Sequence, residues 1–337
     1  MPALSSLAKI SDTEANTPMQ YPKESAHGVM FHYFHDRKHP RTQGSLSRQD
    51  FSRLLDFVGL QRILSPPEWL EKLASNKLEA HHLCLTFDDA LLCQYEIALP
   101  VLEARHLKAF WFIYSSVFEG HLGKNEVYRI FRSKHFQSMD AFYGIFFDKI
   151  SRSEFSEKAE AVLDQERLRD QMQRFPFYSI NDAKFRLVRD RALGRRHYEA
   201  IMDEMISERG LTLSDLSKDL WISNEHLVHL RQRGHLVGLH SYSHPTVLAD
   251  LAYEEQYKEY EKNHSHLRAV CGEAPISMAH PCNSYNGDTI QILKQLGIIC
   301  GFRSNMFPRV MGERANPHPF EMARQDQANI MRMMDCL

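Results

Sequence analysis

Short apolar runs divide the chain into a repeating pattern. Val29-Met30-Phe31-His32-Tyr33-Phe34 is the first and carries one histidine. His82-Leu83-Cys84-Leu85-Thr86-Phe87 is the second and stops at Asp88-Asp89, and Lys108 to Tyr114 is a third, strongly apolar run. Runs of this length read as buried strands. Between them, Ser47–Phe57 sets Phe51, Leu54, Leu55 and Phe57 near one helical face, and Gln94–Glu103 carries Ile97, Val101 and Leu102 as a stripe. The order strand, helix, strand, helix, strand predicts a parallel sheet covered by helices.

The rhythm breaks at about residue 120 and resumes at about 220. This stretch is rich in Glu, Lys, Arg, Phe and Met, and Ser153–Leu168 and His197–Glu208 have helical patterning. It reads as a helical insertion, either a cover for apolar surface or a lid that shapes an active site. Ser223 then caps a helix carrying Leu227 and Leu230, and Gly234 ends it. The strand His235–Leu239 delivers His240-Ser241-Tyr242-Ser243-His244-Pro245. A charged helix over about 252–270 follows, then the strand Ile276–Ala279 and the loop His280–Asn286. Asp288 is the expected cap for Thr289–Leu296, Gly297 the stop, and Ile298–Phe302 a further strand. There is no internal repeat and no low-complexity tract.

A chain of 337 residues has room for two domains or for one elaborated α/β barrel. With 41 basic and 43 acidic side chains the net charge is −2, so no bulk field favours nucleic acid or an anionic membrane. No apolar stretch is long enough to predict a transmembrane helix. Residues 1–28 are polar and lack a basic start followed by an apolar run, so they read as a mobile extension rather than a secretory signal. The six cysteines form no CxxC pair. Reduced thiols and a cytoplasmic location are the expectation.

Nineteen histidines raise the question of whether any are arranged for chemistry. Asp88-Asp89 and His240-x3-His244 each directly follow an apolar strand, and the C-terminal strand ends of α/β folds converge on the active site. One Asp and two His form a reasonable ligand set for a divalent transition metal with open positions, which leaves the other acid free as a base. Alone, an Asp-Asp pair is usually a turn cap, a His-x3-His pair is often a surface accident, and Pro245 fixes a turn. Their shared placement at strand ends is what carries weight.

Leu85-Thr86-Phe87-Asp88-Asp89-Ala90 resembles the TFDDG motif of the NodB-homology polysaccharide deacetylases, carbohydrate esterase family 4. Gly238-Leu239-His240-Ser241-Tyr242-Ser243-His244-Pro245 resembles that family's H-S-x-x-H-P motif, and Ala279-His280-Pro281-Cys282-Asn283 more distantly resembles its third, R-x-P-Y-G. Met30-Phe31-His32-Tyr33-Phe34 is similar to the M-Y-H-Y-V start of one branch. The resemblance implies a distorted (β/α)7 barrel over residues 29–337, interrupted by the helical insertion at 120–220. It implies Asp88 as catalytic base, Asp89, His240 and His244 as ligands of a metal, usually zinc, and His32 as general acid. The backbone N–H of Cys282 would help hold the oxyanion, with His280, Pro281, Asn283 and Tyr285 along the substrate wall. In the implied reaction the metal polarises the amide carbonyl and acidifies water, Asp88 takes the water's proton, and a histidine protonates the leaving amine.

The sequence departs from the family at Ala90, in place of Gly, and at Ala279, in place of the Arg that tunes the base. Arg324 is a possible substitute, although an ordinary surface arginine is the commoner case. Tyr242 and Tyr285 flank the site and could stack on a sugar, with core packing the commoner fate. The expectation is a cytoplasmic, metal-dependent N-deacylase acting on an N-acylated amino sugar. Its carrier would be a nucleotide or a lipid, in surface-polysaccharide biosynthesis of the kind encoded with lipopolysaccharide O-antigen genes. The alternatives are a metal-dependent amidase on a small non-sugar amide and a non-catalytic carbohydrate-binding barrel.

Overall fold

In the computed structural model, residues 21–308 and 314–335 are described. The apolar runs form parallel strands: β1 (His27–Phe31), β2 (Leu83–Asp88), β3 (Phe110–Ile113), β4 (Leu236–Leu239), β5 (Ser277–Ala279), β6 (Cys300–Phe302) and β7 (Arg324–Asp326). They make one sheet in the order β6-β5-β4-β3-β2-β1-β7. Every residue of β1, β2 and β3 is buried, as expected of parallel strands covered on both faces.

The sheet curls until its edges almost meet. Gly28 pairs with Arg324 across β1 and β7. The chain leading into β7 also runs beside β6, where Met322 N donates to Gly301 O at 2.9 Å and Arg303 N donates to Met322 O at 2.8 Å. The result is the distorted, nearly closed (β/α)7 barrel that the motifs implied. Close packing of strands explains Gly238: a Cβ there would lie 2.6 Å from Ser277 O on β5.

Helices α1 (Arg48–Val58), α2 (Pro66–Ala74) and α3 (Leu99–Ala104) cover the first three strands. Ser47 caps α1 reciprocally with Asp50. The sequence reading did not anticipate α2, although Ser65-Pro66-Pro67-Glu68 carries both a capping box and an N-terminal proline, and the helix buries Trp69. Between β3 and β4 come α4 (Lys124–Lys134), α5 (Met139–Ser151), α6 (Ser156–Val162), α7 (Gln165–Arg174), α8 (Ile180–Leu187), α9 (Gly194–Ser207) and α10 (Leu213–Ser217). The predicted helix Ser153–Leu168 is in fact two, because Asp164 accepts from Arg167 N and starts α7 afresh. These helices enclose a core of their own, built around Phe131, Phe142, Phe146, Phe185, Tyr198 and Met202.

The barrel is completed by α11 (Asn224–Gln232), α12 (Tyr253–Cys271), α13 (Gly287–Gln295) and α14 (Gln327–Asp335). Asn286, not Asp288, caps α13, its side chain accepting from Thr289 N. The expected extension over 1–28 also needs correction. Residues 1–20 lie outside the described residues, but Tyr21 is buried and its hydroxyl pairs with His27 at 2.7 Å. Arg62 donates to the carbonyls of Tyr21 and Pro22, and His27 and Gly28 belong to β1. Among the described residues no helix is long and apolar enough to cross a membrane.

Candidate active site

The C-terminal ends of β1, β2 and β4 bring the acids and histidines together. Asp88 is the last residue of β2. The chain then turns through the left-handed region at Asp89 (φ 79°) and Ala90 (φ 55°). A Cβ is disfavoured there, which gives the physical reason for glycine at this place in the family motif. Gln94 Nε2 donates to His32 O at 2.7 Å and to Asp88 O at 2.6 Å, tying the ends of β1 and β2 together. After β4, Ser241 and His244 also have positive φ. This loop is anchored to α12: Asn263 Oδ1 accepts from His240 N at 3.0 Å, and the Glu259 carboxylate accepts from the backbone of Tyr242 and Ser243. Non-glycine residues held in this region are strained, and strain of this kind concentrates at functional sites.

Asp89 Oδ1 lies 3.4 Å from Nε2 of both His240 and His244. One donor atom from each residue falls within a common span of 4.8 Å. His240 Nδ1 donates to Ala279 O at 2.9 Å, which fixes the ring with Nε2 toward Asp89; burial acts to lower the His240 pKa, but Asp88 and Asp89 outweigh it and raise it. Burial lowers the His244 pKa to about 4 against the pull of Asp89, so its ring is neutral at pH 7. Burial acts to raise the Asp89 carboxyl, but His244, His240 and His32 outweigh it and hold it well below the usual carboxylate range. Asp89 Oδ1 is buried with no hydrogen-bond partner. An orphaned carboxylate oxygen between two imidazole nitrogens is costly as it stands and is the donor set a divalent cation satisfies.

Asp88 is held differently. Arg324 Nη1 and Nη2 donate to its two carboxylate oxygens at 2.7 and 2.8 Å, with the arginine fully buried and the aspartate 2% exposed. Burial works to raise the Asp88 carboxyl; Arg324, His240 and His32 outweigh it and keep it below the usual range. The expectation that Arg324 is an ordinary surface residue is therefore overturned. It supplies the guanidinium missing at Ala279, reaching Asp88 from β7 instead of β5. His32 stands at the rim, its side chain 25% exposed and its Nε2 3.8 Å from an oxygen of each aspartate.

The predicted substrate wall is only partly present. Cys282 is exposed to the cavity, in a reversal with φ of 50° at Cys282 and 58° at Asn283. His280 also lines the cavity but is fully buried; its Nε2 donates to Phe320 O at 2.9 Å and its ring stacks 4.0 Å from Tyr285. Burial pushes its pKa down to about 3, so its ring is neutral at pH 7. Pro281, Asn283 and Tyr285 do not line the cavity. Pro281 is buried in the turn, Asn283 Oδ1 accepts from Ser304 N at 3.0 Å, and the Tyr285 hydroxyl donates to Glu321 at 2.7 Å. These contacts hold all three within the turn and away from the cavity lining. Tyr242 lines a neighbouring lobe and donates to Glu119 at 2.7 Å.

The cavity over the aspartates has a volume of about 440 Å³. The inserted helices supply much of its wall, including Glu126, Arg129, Arg132, Arg186 and Arg189, none of which the sequence reading singled out. Glu126 receives a short hydrogen bond from the Tyr33 hydroxyl, and the Arg129 guanidinium lies 3.8 Å from the centre of the Tyr33 ring. Burial, with Asp89 nearby, lifts the Glu126 carboxyl to about 7 against Arg129 and Tyr33.

Residues 204–300 match the family model for polysaccharide deacetylase, a stretch that spans the His240–Pro245 loop and β5. No curated protein matches the chain. Among solved structures, IcaB from Ammonifex degensii aligns over 93% of this chain and 96% of its own at 14% identity, with a TM-score of 0.54. The Streptococcus pyogenes deacetylase PplD, solved with acetate, aligns over 91% of this chain and 96% of its own at 15% identity, with a TM-score of 0.53. A de-N-acetylase from Aggregatibacter actinomycetemcomitans aligns over 89% and 93%, at 11% identity and a TM-score of 0.50. At these identities the likeness is one of fold. Residues 204–300 are thus similar to the polysaccharide deacetylase family, and the barrel as a whole has the NodB-like fold of these solved deacetylases.

Proposed function

We propose that this protein is a metal-dependent N-deacylase that hydrolyses the amide of an N-acylated amino sugar. The observation that carries this reading is the convergence of Asp89, His240 and His244, with an orphaned oxygen between them, beside a second aspartate held by a buried arginine. The family is one of hydrolases acting on amide bonds. Asp89, His240 and His244 would hold the ion, and their mixed imidazole and carboxylate character suits zinc. When bound, such an ion polarises the amide carbonyl and lowers the pKa of water.

The remaining work falls to side chains of this chain. Asp88 stays ionised under Arg324 and accepts the proton of the attacking water. The two-pronged contact with Arg324 fixes the orientation of its carboxylate. His32, partly exposed and within 4 Å of both acids, delivers a proton to the departing amine. Cys282 lines the cavity, and its backbone N–H would help hold the developing oxyanion charge. The thiols of Cys84, Cys93, Cys271, Cys282 and Cys300 are free, which supports a reducing, cytoplasmic setting. The similarity of the His32 strand and of the insertion to deacetylase-like proteins encoded with O-antigen genes supports a substrate from surface-polysaccharide assembly.

The test is acyl release from N-acetyl and N-formyl amino sugars with zinc added, alongside metal content. D88N should keep zinc and lose turnover, while H244A and D89N should lose both. Unchanged turnover in D88N would remove Asp88 as the base. Sugar binding that is indifferent to chelator, with no acyl release, would instead mark a non-catalytic barrel.

A further inference from the structure

The arginines on the inserted helices are more numerous than the barrel chemistry needs, and their partners are unequally distributed. Arg189 is neutralised by Asp190, with Nε and Nη2 each 2.7 Å from a carboxylate oxygen. Arg129 faces Tyr33 and lies near Glu126. Arg132 on α4 and Arg186 on α8 are different. Both line the cavity, and among the described residues neither forms an ion pair or a hydrogen bond. Their Nε atoms are buried without partners.

Arg132 is only 9% exposed. Its guanidinium lies 4.9 Å from the Phe185 ring centre and 5.5 Å from that of Phe142, and Arg186 lies 4.3 Å from that of Tyr178. Ring faces soften the burial of a cation but do not neutralise it. Asp182, one turn before Arg186, does not pair with it, being taken up by Tyr143, Gln43 and Ser179. The two cations are close enough that, after burial itself, Arg129 and Arg186 further depress the pKa of Arg132. Acids share the cavity, Glu126 among them, but among the described residues none pairs directly with Arg132 or Arg186, and like charges left without a bonded counter-ion are unfavourable unless an anion completes them.

Resting on the deacylase reading, we propose that Arg132 and Arg186, with Arg129 beside them, form a phosphate subsite, and that the substrate is an N-acylated amino sugar carrying a phosphate or pyrophosphate. Planar guanidinium forks match phosphate oxygens in pairs. A phosphate monoester brings about −1.5 to −2 charges, enough for both unpaired arginines, where a single carboxylate would answer only one. The subsite shares the 440 Å³ cavity with Asp88, Asp89 and His32, so the anion and the amide belong to one molecule. That volume lies in the range of small-molecule sites.

The test uses the full-length, zinc-loaded protein at pH 7. Acyl release is compared for N-acetylglucosamine, its 1-phosphate and UDP-N-acetylglucosamine, with the galactosamine series in parallel. The phosphorylated compounds should exceed the neutral sugars in kcat/KM by roughly thirtyfold or more, mainly through KM. The 1-phosphate and nucleotide arms tell a terminal phosphate from a pyrophosphate. R132Q and R186Q should erase that advantage and R132K should keep part of it, with zinc content and circular dichroism unchanged. Arg186 is less buried than Arg132, so R186Q guards against a folding defect in R132Q. Neutral sugars hydrolysed as well as phosphorylated ones would overturn the subsite and leave the deacylase reading standing.

If no sugar releases acid, the deacylase reading fails and binding alone decides the subsite. Inorganic pyrophosphate is then titrated calorimetrically with and without EDTA. Binding that survives EDTA and weakens roughly thirtyfold in R132Q or R186Q supports the arginine site. Binding that is absent, or abolished by EDTA, overturns it.

Discussion

Replacing Arg324 with Met should destabilise the protein through Asp88, and the loss should depend on pH. The pair is fully desolvated, with the arginine at 0% and the aspartate at 2% exposure. Arg324 Nε also donates to Arg303 O at 2.5 Å, so the substitution strands a carbonyl as well as a carboxylate. Breaking one side of such a pair costs about 3–5 kcal/mol. Because the folded Asp88 carboxyl sits below its ordinary value, its contribution is full above about pH 4, where the unfolded group is ionised, and disappears as pH falls through the folded value. In R324M, burial is no longer outweighed by the guanidinium and drives the Asp88 pKa upward. The penalty should therefore be about 4 kcal/mol at pH 7 and shrink toward pH 4 as Asp88 takes a proton.

Urea denaturation in EDTA at both pH values reads this directly, and the double variant R324M/D88N supplies the control. An asparagine carries no charge to strand, so the double variant should be more stable at pH 7 than R324M alone. Equal penalties at pH 7 and pH 4, or strictly additive effects in the double variant, would refute the electrostatic account and leave only lost packing.

Two further outcomes follow from the same geometry. G238A should lose about 1–3 kcal/mol in thermal denaturation, because its Cβ would meet Ser277 O at 2.6 Å and the Phe112 ring at 2.9 Å; an unchanged melting curve would mean that β4 and β5 are not packed so closely. His280, held neutral with a pKa of about 3, takes a proton only on unfolding as pH drops below about 6.5. Wild type should therefore lose about 2 kcal/mol more than H280Q between pH 7 and pH 5, and parallel losses would show that His280 is not buried neutral.

The legible parts of this protein are those where burial and sequence period coincide. β2, β3 and β4 are apolar runs because both their faces are covered, and Asp88, Asp89, His240 and His244 stand out as polar residues at the ends of such runs. β7 is different in kind. Its residues are Arg324, Gln325 and Asp326, so no hydrophobic pattern announces it, and Arg324 is buried by pairing with Asp88 rather than by being apolar. Its role could be guessed only from what Ala279 lacks. The substrate wall was only partly legible for a related reason. His280 and Tyr285 hold the right places in the chain, but the His280 ring turns onto Tyr285 and its Nε2–H onto Phe320 O, a choice made by three-dimensional neighbours.

The inserted helices were legible as helices, with a lid over the site as one of two readings, but the residues they turn to the cavity were not, because a helix facing two surfaces confuses an amphipathic reading. On α4, Val127, Ile130 and Phe131 face the insertion's own core while Glu126 and Arg132 turn to the cavity, and both sets are buried. That separate core has a mechanistic consequence. The arginines are positioned by Phe142, Phe185 and Tyr178 within the insertion, whereas the aspartates and histidines are positioned by β2, β4 and α12. A substitution among the arginines can then alter which anion is accepted without disturbing the donors around Asp89, since the two sets share a cavity but not a scaffold. The two scaffolds meet where Tyr33 at the barrel end donates to Glu126 on α4 and lies under Arg129, within reach of His32, and where Gln43 and Thr246 reach Asp182 and Asp190 of the insertion.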